Sequence, residues 1–402
     1  MSLRYLGSII GSTPPVISKP INGEGGSASG LWSLAQQIKL AAENSWPMPI
    51  VPRELWLWGY NSDGQLGLGN TTVKSSPNQV GALSTWSRAS LGYHHALAIK
   101  TDGTLWSWGK NNSGELGLGN TTYYSSPKQV GALTTWADIT AGDSSSIALK
   151  SDGSLWAWGS GSYGATGHNN TTTYSSPVQI GGLSTWRSIS GRGSSTFAIQ
   201  TDGTLWAWGY NFYGQLGLEV TTAKSSPTQV GSLTSWSTVS NSYYHTAAIQ
   251  TDGTLWAWGL NQYGELGLSN TTYYSSPKQV GALTTWASSS NGNFVSIAIR
   301  TDGTMWSWGR NDGGELGLSS YTSKSSPNQV GGLTTWSKAS VGHSHSLALT
   351  TGGTIWSWGW GYYGGLGLGT NSNKNSPNQV GGLTTWLNIS AGHWFSAATK
   401  RP

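Results

Sequence analysis

The sequence contains no cysteine, which excludes a disulfide framework and any thiolate metal site. Charge is almost as scarce, since Lys, Arg, Asp and Glu together make up 9% of the 402 residues. A chain that stays disordered combines high charge with few aromatics, whereas this one carries 25 Trp and 17 Tyr. The formal charge of +5 is dispersed, with no run of three basic residues, so no nucleic-acid partner is expected. No apolar run approaches the ~18 residues of a membrane span, and no membrane insertion is expected. The N-terminus, MSLRYLGSIIGSTPPV, lacks the roughly 7–15-residue apolar centre of a secretory signal. The expectation is a soluble chain that no ordinary signal exports. Glycine is abundant, at 58 residues, but without a triplet period, which excludes collagen.

What is present is a period. Trp56, Trp106, Trp156, Trp206, Trp256, Trp306 and Trp356 lie 50 residues apart, and so do the columns headed by Trp58, Gly64, Gly67, Pro77 and Trp86. The three tryptophan columns hold 21 of the 25 tryptophans and read as core. Within one unit, residues 95–100 (HALAIK) and 104–108 (TLWSW) alternate at period two, as strands do. Asp102-Gly103 between them suits a type I′ hairpin turn with both residues at positive φ. A Gly/Asn-rich loop follows, then SSPKQVG, where Pro127 suits an edge or strand-entry position. The segment beginning at Trp136 reads as a further short strand. About four short strands per unit make a propeller blade. The first unit opens at Glu54 without a hairpin partner and the last stops at Lys400 without one. Pairing residues 54–58 with 395–400 removes both sheet edges. The predicted fold class is all-β: a seven-bladed β-propeller closed by its N- and C-terminal strands, with an N-terminal extension containing one short helix.

The unit resembles the repeat of the regulator-of-chromosome-condensation propeller family in its Asp102-Gly103 turn, Trp108-Gly109, Asn111, the Gly-x-Leu-Gly of Gly114–Gly117, Pro127 and Val130. That signature recurs seven times over residues 54–400. The family's Gly-x-x-His element matches at Gly92–His95 and Gly342–His345. His245 keeps the histidine, with Ser242 in place of the glycine. Ser145, Ser195, Val295 and Phe395 replace the histidine elsewhere. The resemblance implies a propeller. In the founding members one face activates a nuclear GTPase and another contacts chromatin, roles that need a basic arm and acidic face residues not evident here.

Residues 1–53 differ in composition, so the predicted domains are an arm, 1–53, and a propeller, 54–402. Residues 11–30 are rich in Gly, Ser and Pro and read as a linker. Leu31, Leu34, Ala35, Ile38, Ala41 and Ala42 then follow helical spacing, predicting a helix over about 31–45, with Ser29 as cap and Pro47 as terminator. A helix this short needs a surface to pack on. Ser29, Gly30, Leu31, Trp32, Leu34, Trp46 and Pro47 are similar to a short motif of virion structural proteins of marine tailed phages. That resemblance implies a bacteriophage virion component: a tail appendage, fibre or capsid-surface protein, assembled in the host cytoplasm. Leu31, Trp32, Leu34, Ile38 and Trp46 would then anchor it to other virion proteins.

Seven near-identical units make their differences informative. The most variable columns are 60–63 and 92–95, and they are rich in aromatics. The candidate binding residues are Tyr60, Tyr210, Trp360, Tyr93, His94, Tyr243, Tyr244, Phe294, His343, His393 and Trp394; those of columns 92–95 precede the 95–100 strand and are expected to cluster at one end of the ring. Aromatic loops suit stacking on a glycan or anchoring a protein, so a host-surface glycan or protein is the expected ligand. The alternative is a bacterial lectin-like or protein-inhibitor propeller. His343 and His345 share a strand face, but no carboxylate recurs beside them, and structural hydrogen bonds are expected rather than a metal. No nucleophile–base spacing stands out, so no catalytic residue, enzyme activity or cofactor is expected. The Asn-Thr-Thr triplets at Asn70, Asn120, Asn170 and Asn270 match a glycosylation sequon, but they recur with the repeat, as turn chemistry does. Thr166 and His168 replace two repeat leucines, a departure with no functional account at this level.

Overall fold

A computed structural model describes residues 53–82 and 85–402. The predicted helix 31–45 and its anchor residues lie outside the described residues. Among the described residues, twenty-eight strands form seven four-stranded antiparallel sheets. Blade 1 shows the plan: Trp86–Leu91, His95–Lys100, Leu105–Gly109 and Tyr124–Gln129, adjacent in that order from the channel outward. Blades 2 to 6 repeat it at successive 50-residue steps. Blade 7 is composite. Trp386–Ala391 and Phe395–Lys400 come from the end of the chain, and Glu54–Gly59 and Lys74–Gln79 from its beginning. Glu54 pairs with Lys400 and Gly59 with Phe395, the closure expected from the two orphan strands. Lys400 Nζ sits 2.7 Å from the Glu54 carboxylate, which also accepts from the Trp56 indole at 2.9 Å. In blade 1 the equivalent indole, Trp106, donates to Thr104 Oγ1 instead.

The turn after the second strand differs from the type I′ expectation. Gly103 has φ +77°, whereas Asp102 does not enter the positive-φ region. Lys100 N donates to Thr104 O, and Asp102 Oδ1 accepts from Thr104 N and Oγ1 at 2.9 and 2.6 Å. This is a three-residue loop with glycine at the left-handed position. The aspartate's acceptor chemistry, not a left-handed backbone, explains its recurrence.

Tryptophan joins the blades. Trp108 Nε1 donates to Gln65 O at 2.9 Å across a blade boundary, and the same bond recurs around the ring to Trp58 Nε1 and Gly365 O, also 2.9 Å. The Gly67 column makes room for it. A Cβ on Gly67, at φ +69°, would lie 2.8 Å from the Trp108 indole nitrogen. Nearer the axis, a hydroxyl at the column headed by Ser90 accepts from the backbone of the next blade at six junctions. The first is Ala141 N to Ser90 Oγ at 3.0 Å, and the last is Ala391 N to Ser340 Oγ at 2.9 Å. The sequon asparagines are turn residues, as in Thr72 N donating to Asn70 Oδ1 at 3.0 Å.

Candidate functional site

Two loops of every blade open on one face of the ring: the short loop after the innermost strand, and the long loop between the third and fourth strands. The variable columns 92–95 and 60–63 occupy these loops, so the fold brings them together. Around the axis, the short loops place Tyr93, Asp143, Gly193, Tyr243, Asn293, His343 and His393 in a circle. Backbone bonds from blade to blade hold that circle, for example Asp143 N to Gly193 O at 2.9 Å and His393 N to Gly92 O at 3.3 Å.

The aromatic side chains gather in two clusters that flank this mouth. On blades 6, 7 and 1, Tyr60 packs against Tyr363 at 4.9 Å, His94 at 5.5 Å and Trp394 at 5.8 Å between ring centroids. Tyr93 stacks on His393 at 3.7 Å, and His343 lies 4.1 Å from His393. On blades 2 to 5, Tyr244 stacks on Phe294 at 5.2 Å and meets Tyr213 and Tyr243. Tyr210 extends this group to Phe212 and Tyr163. Phe212, Tyr163 and Tyr363 are 58%, 48% and 43% exposed. Trp360 stands apart, paired with Tyr362 and donating to Glu315 Oε1 at 2.8 Å. Of the eleven candidate residues, ten therefore fall into the two clusters and Trp360 into neither.

Arg192 went unnoticed in the sequence. Its column otherwise holds only Gly or Ser, and it extends the innermost strand of blade 3 to Trp186–Arg192. Its guanidinium crosses the channel to the far blades. Nη1 donates to Asn291 O at 3.3 Å and to Val341 O, and Nη2 to Ala391 O and Gly392 O, both at 3.2 Å. Asn241 Nδ2 braces it at the Arg192 carbonyl, 3.2 Å. Beside it, Tyr243 leans over Gly193 to hydrogen-bond the Asp143 carboxyl. Burial pushes Asp143 up to about 6, against the pull of Tyr243 and Arg192. Burial, then the nearby cations, push His343 down to about 4, and His393 falls to about 2. The mouth is thus a polar ring in which neutral histidines sit beside the Arg192 cation and the Asp143 carboxyl. A lone long side chain in a Gly/Ser column was the signal that would have found it.

Residues 55–398 match the family model described as the RCC1-like domain. The chain belongs to the RCC1-like domain family. Solved structures share the fold of this RCC1-like propeller. Human WBSCR16 is 20% identical, with TM-score 0.79 over 87% of this chain and 99% of its own. Prp20p from Saccharomyces cerevisiae is 23% identical, with TM-score 0.78 over 88% of this chain and 92% of its own. Prp20 in complex with Kap60 superposes with TM-score 0.79 at 22% identity, over 87% of this chain and 89% of its own.

In this RCC1-like propeller the Gly-x-x-His histidines are structural. His95, His245 and His345 are buried, and each Nε2 meets a serine hydroxyl of the next blade: Ser146 at 3.0 Å, Ser296 at 2.8 Å and Ser396 at 2.8 Å. Burial pushes all three down to about 3, so they are neutral. His343 and His345 do not converge. One faces the channel mouth and the other the blade interface. His94 Nδ1 lies 2.8 Å from the Asp63 carboxylate, and the rings of Tyr60 and Tyr93 pack against that histidine.

Proposed function

We propose that this RCC1-like propeller is a non-enzymatic binding module whose aromatic loop face takes a protein partner. The observation that carries the reading is the pair of aromatic clusters flanking the channel mouth. Large, partly exposed rings concentrated on one face of a weakly charged molecule are what protein interfaces use as anchors. The yeast relative Prp20p is reported to bind Gsp1p and histones, and its complex with Kap60 has been solved. These are protein partners of that protein, and they favour a protein ligand here by kinship of fold. The setting we propose is a bacteriophage virion, with residues 1–53 as the anchor to neighbouring virion proteins and the aromatic face turned toward the host surface. This rests on the likeness of Ser29–Pro47 to phage virion proteins.

Two measurements test the proposal. Mass spectrometry of purified particles should detect the chain, and its absence from them sinks the virion setting. The full chain should bind host envelopes, with a loss of at least tenfold in the F212S/Y363S double variant. Undiminished binding by that variant overturns the aromatic face as the contact. Binding that survives protease treatment of the envelopes but not glycosidase treatment selects the lectin-like reading.

A further inference from the structure

Seven copies of one packing site allow an internal comparison. In six of them a leucine, at Leu68, Leu118, Leu218, Leu268, Leu318 or Leu368, packs at the blade boundary against a valine and two tryptophans, as Leu218 does against Val230, Trp236 and Trp256. The boundary between blades 2 and 3 supplies the same surround, Ile180, Trp186 and Trp206, but no leucine. His168 stands there instead. Its ring turns toward Tyr174, 4.8 Å away, and its Nε2 meets Val178 O at 3.2 Å. At this boundary a pocket of about 460 Å³ opens, walled by His168, Ile180, Leu183, Trp186, Trp206 and Pro227. Below it Thr166, fully buried, replaces a core leucine, and its hydroxyl finds no partner among the described residues. Two leucines are thus missing from one boundary of an otherwise repetitive ring. Losing buried leucine packing is destabilising, and departures from a local packing rule concentrate at functional sites.

We propose that this rim pocket is a binding site for a small neutral ligand carrying a leucine-sized branched aliphatic group. The occupant's chemistry is read from the six sister sites, where the same walls hold a leucine side chain of the chain itself. Two indole faces and Ile180 provide dispersion contact, no charged side chain lines the wall, and the volume falls in the range of small-molecule sites. The pocket lies on the rim between blades 2 and 3. It is independent of the aromatic face and of whatever that face binds.

The test uses 3-methylbutan-1-ol with the full-length protein, followed by saturation-transfer NMR. The wild-type chain should transfer saturation to the probe's methyl groups. H168L, which restores the leucine of the other six sites, should abolish transfer and raise Tm. H168M serves as a second filled variant should H168L disturb the fold. F212S/Y363S should transfer as the wild type does, which separates this site from the aromatic face. No transfer with the wild-type chain, or equal transfer with H168L and H168M in folded form, overturns the proposal.

Discussion

Gln215 and Glu265 hold the same position in successive repeats, and the difference of one group sets a titration. Gln215 accepts from Tyr213 N at 3.0 Å and donates to Tyr243 O at 3.1 Å. Glu265 accepts likewise from Tyr263 N at 2.6 Å, but its second oxygen is buried with no partner among the described residues. Burial pushes it up to about 7. An unfolded glutamate titrates at about 4.3, so folding takes up a proton between those values. The penalty is absent below pH ~4.3 and grows as pH rises toward 7. E265Q should therefore stabilise the protein by up to about 3–4 kcal/mol at pH 7–8, since each of the roughly 2.7 pK units is worth about 1.4 kcal/mol. The gain should vanish near pH 4, as calorimetry across that range would show. Glycine at the tryptophan joints permits an equally local prediction. In G117A the new Cβ would fall 2.8 Å from the Trp158 indole nitrogen on a backbone at φ +71°. The indole bond to Glu115 O, 2.8 Å, should be lost and Tm should drop by several degrees.

At the scale of the element, the strands were legible because period-two alternation and the 50-residue recurrence of tryptophan reflect burial directly. The blade closure was legible too, since an unpaired strand at each end of a repeat array has one economical partner. Turn chemistry was read less well: Asp-Gly fits both a two-residue and a three-residue loop, and only the Asp102 bonds to Thr104 decide between them. The buried state of Glu115, Glu265 and Glu315 was not legible, because a glutamate in a Gly-rich loop looks solvated. It lies inside because its carboxylate caps the backbone of that same loop. The composite blade supports its own prediction. Deleting residues 395–402 removes the partner of Glu54–Gly59, exposes the edges of both flanking strands and opens the Trp58–Gly365 joint. Light scattering should show aggregation at concentrations where the intact chain stays monodisperse.

For the whole molecule, the ring is held around its circumference by seven similar joints and across its axis by Arg192. Repetition made the circumference readable from sequence and hid the axis, because a feature present once leaves no period. The candidate site divided the same way: the aromatic columns declared themselves by variation, whereas Arg192 was a single substitution in a Gly/Ser column. Its physical role follows from where it ends. The guanidinium reaches carbonyls of blades 5, 6 and 7 from a root in blade 3, so it ties opposite sides of the ring. Bonds from a charged donor to carbonyls are stronger than neutral ones, and removing the donor gives up several of them at once. R192G, which restores the glycine found at the same position in five other repeats, should lower stability by on the order of 3 kcal/mol without unfolding any blade. Hydrogen exchange separates this brace from a local contact. If Arg192 ties the ring across its axis, the amides of Asn291, Val341 and Ala391 should lose protection together with those of blade 3. Loss confined to blade 3 would reduce Arg192 to a local packing residue.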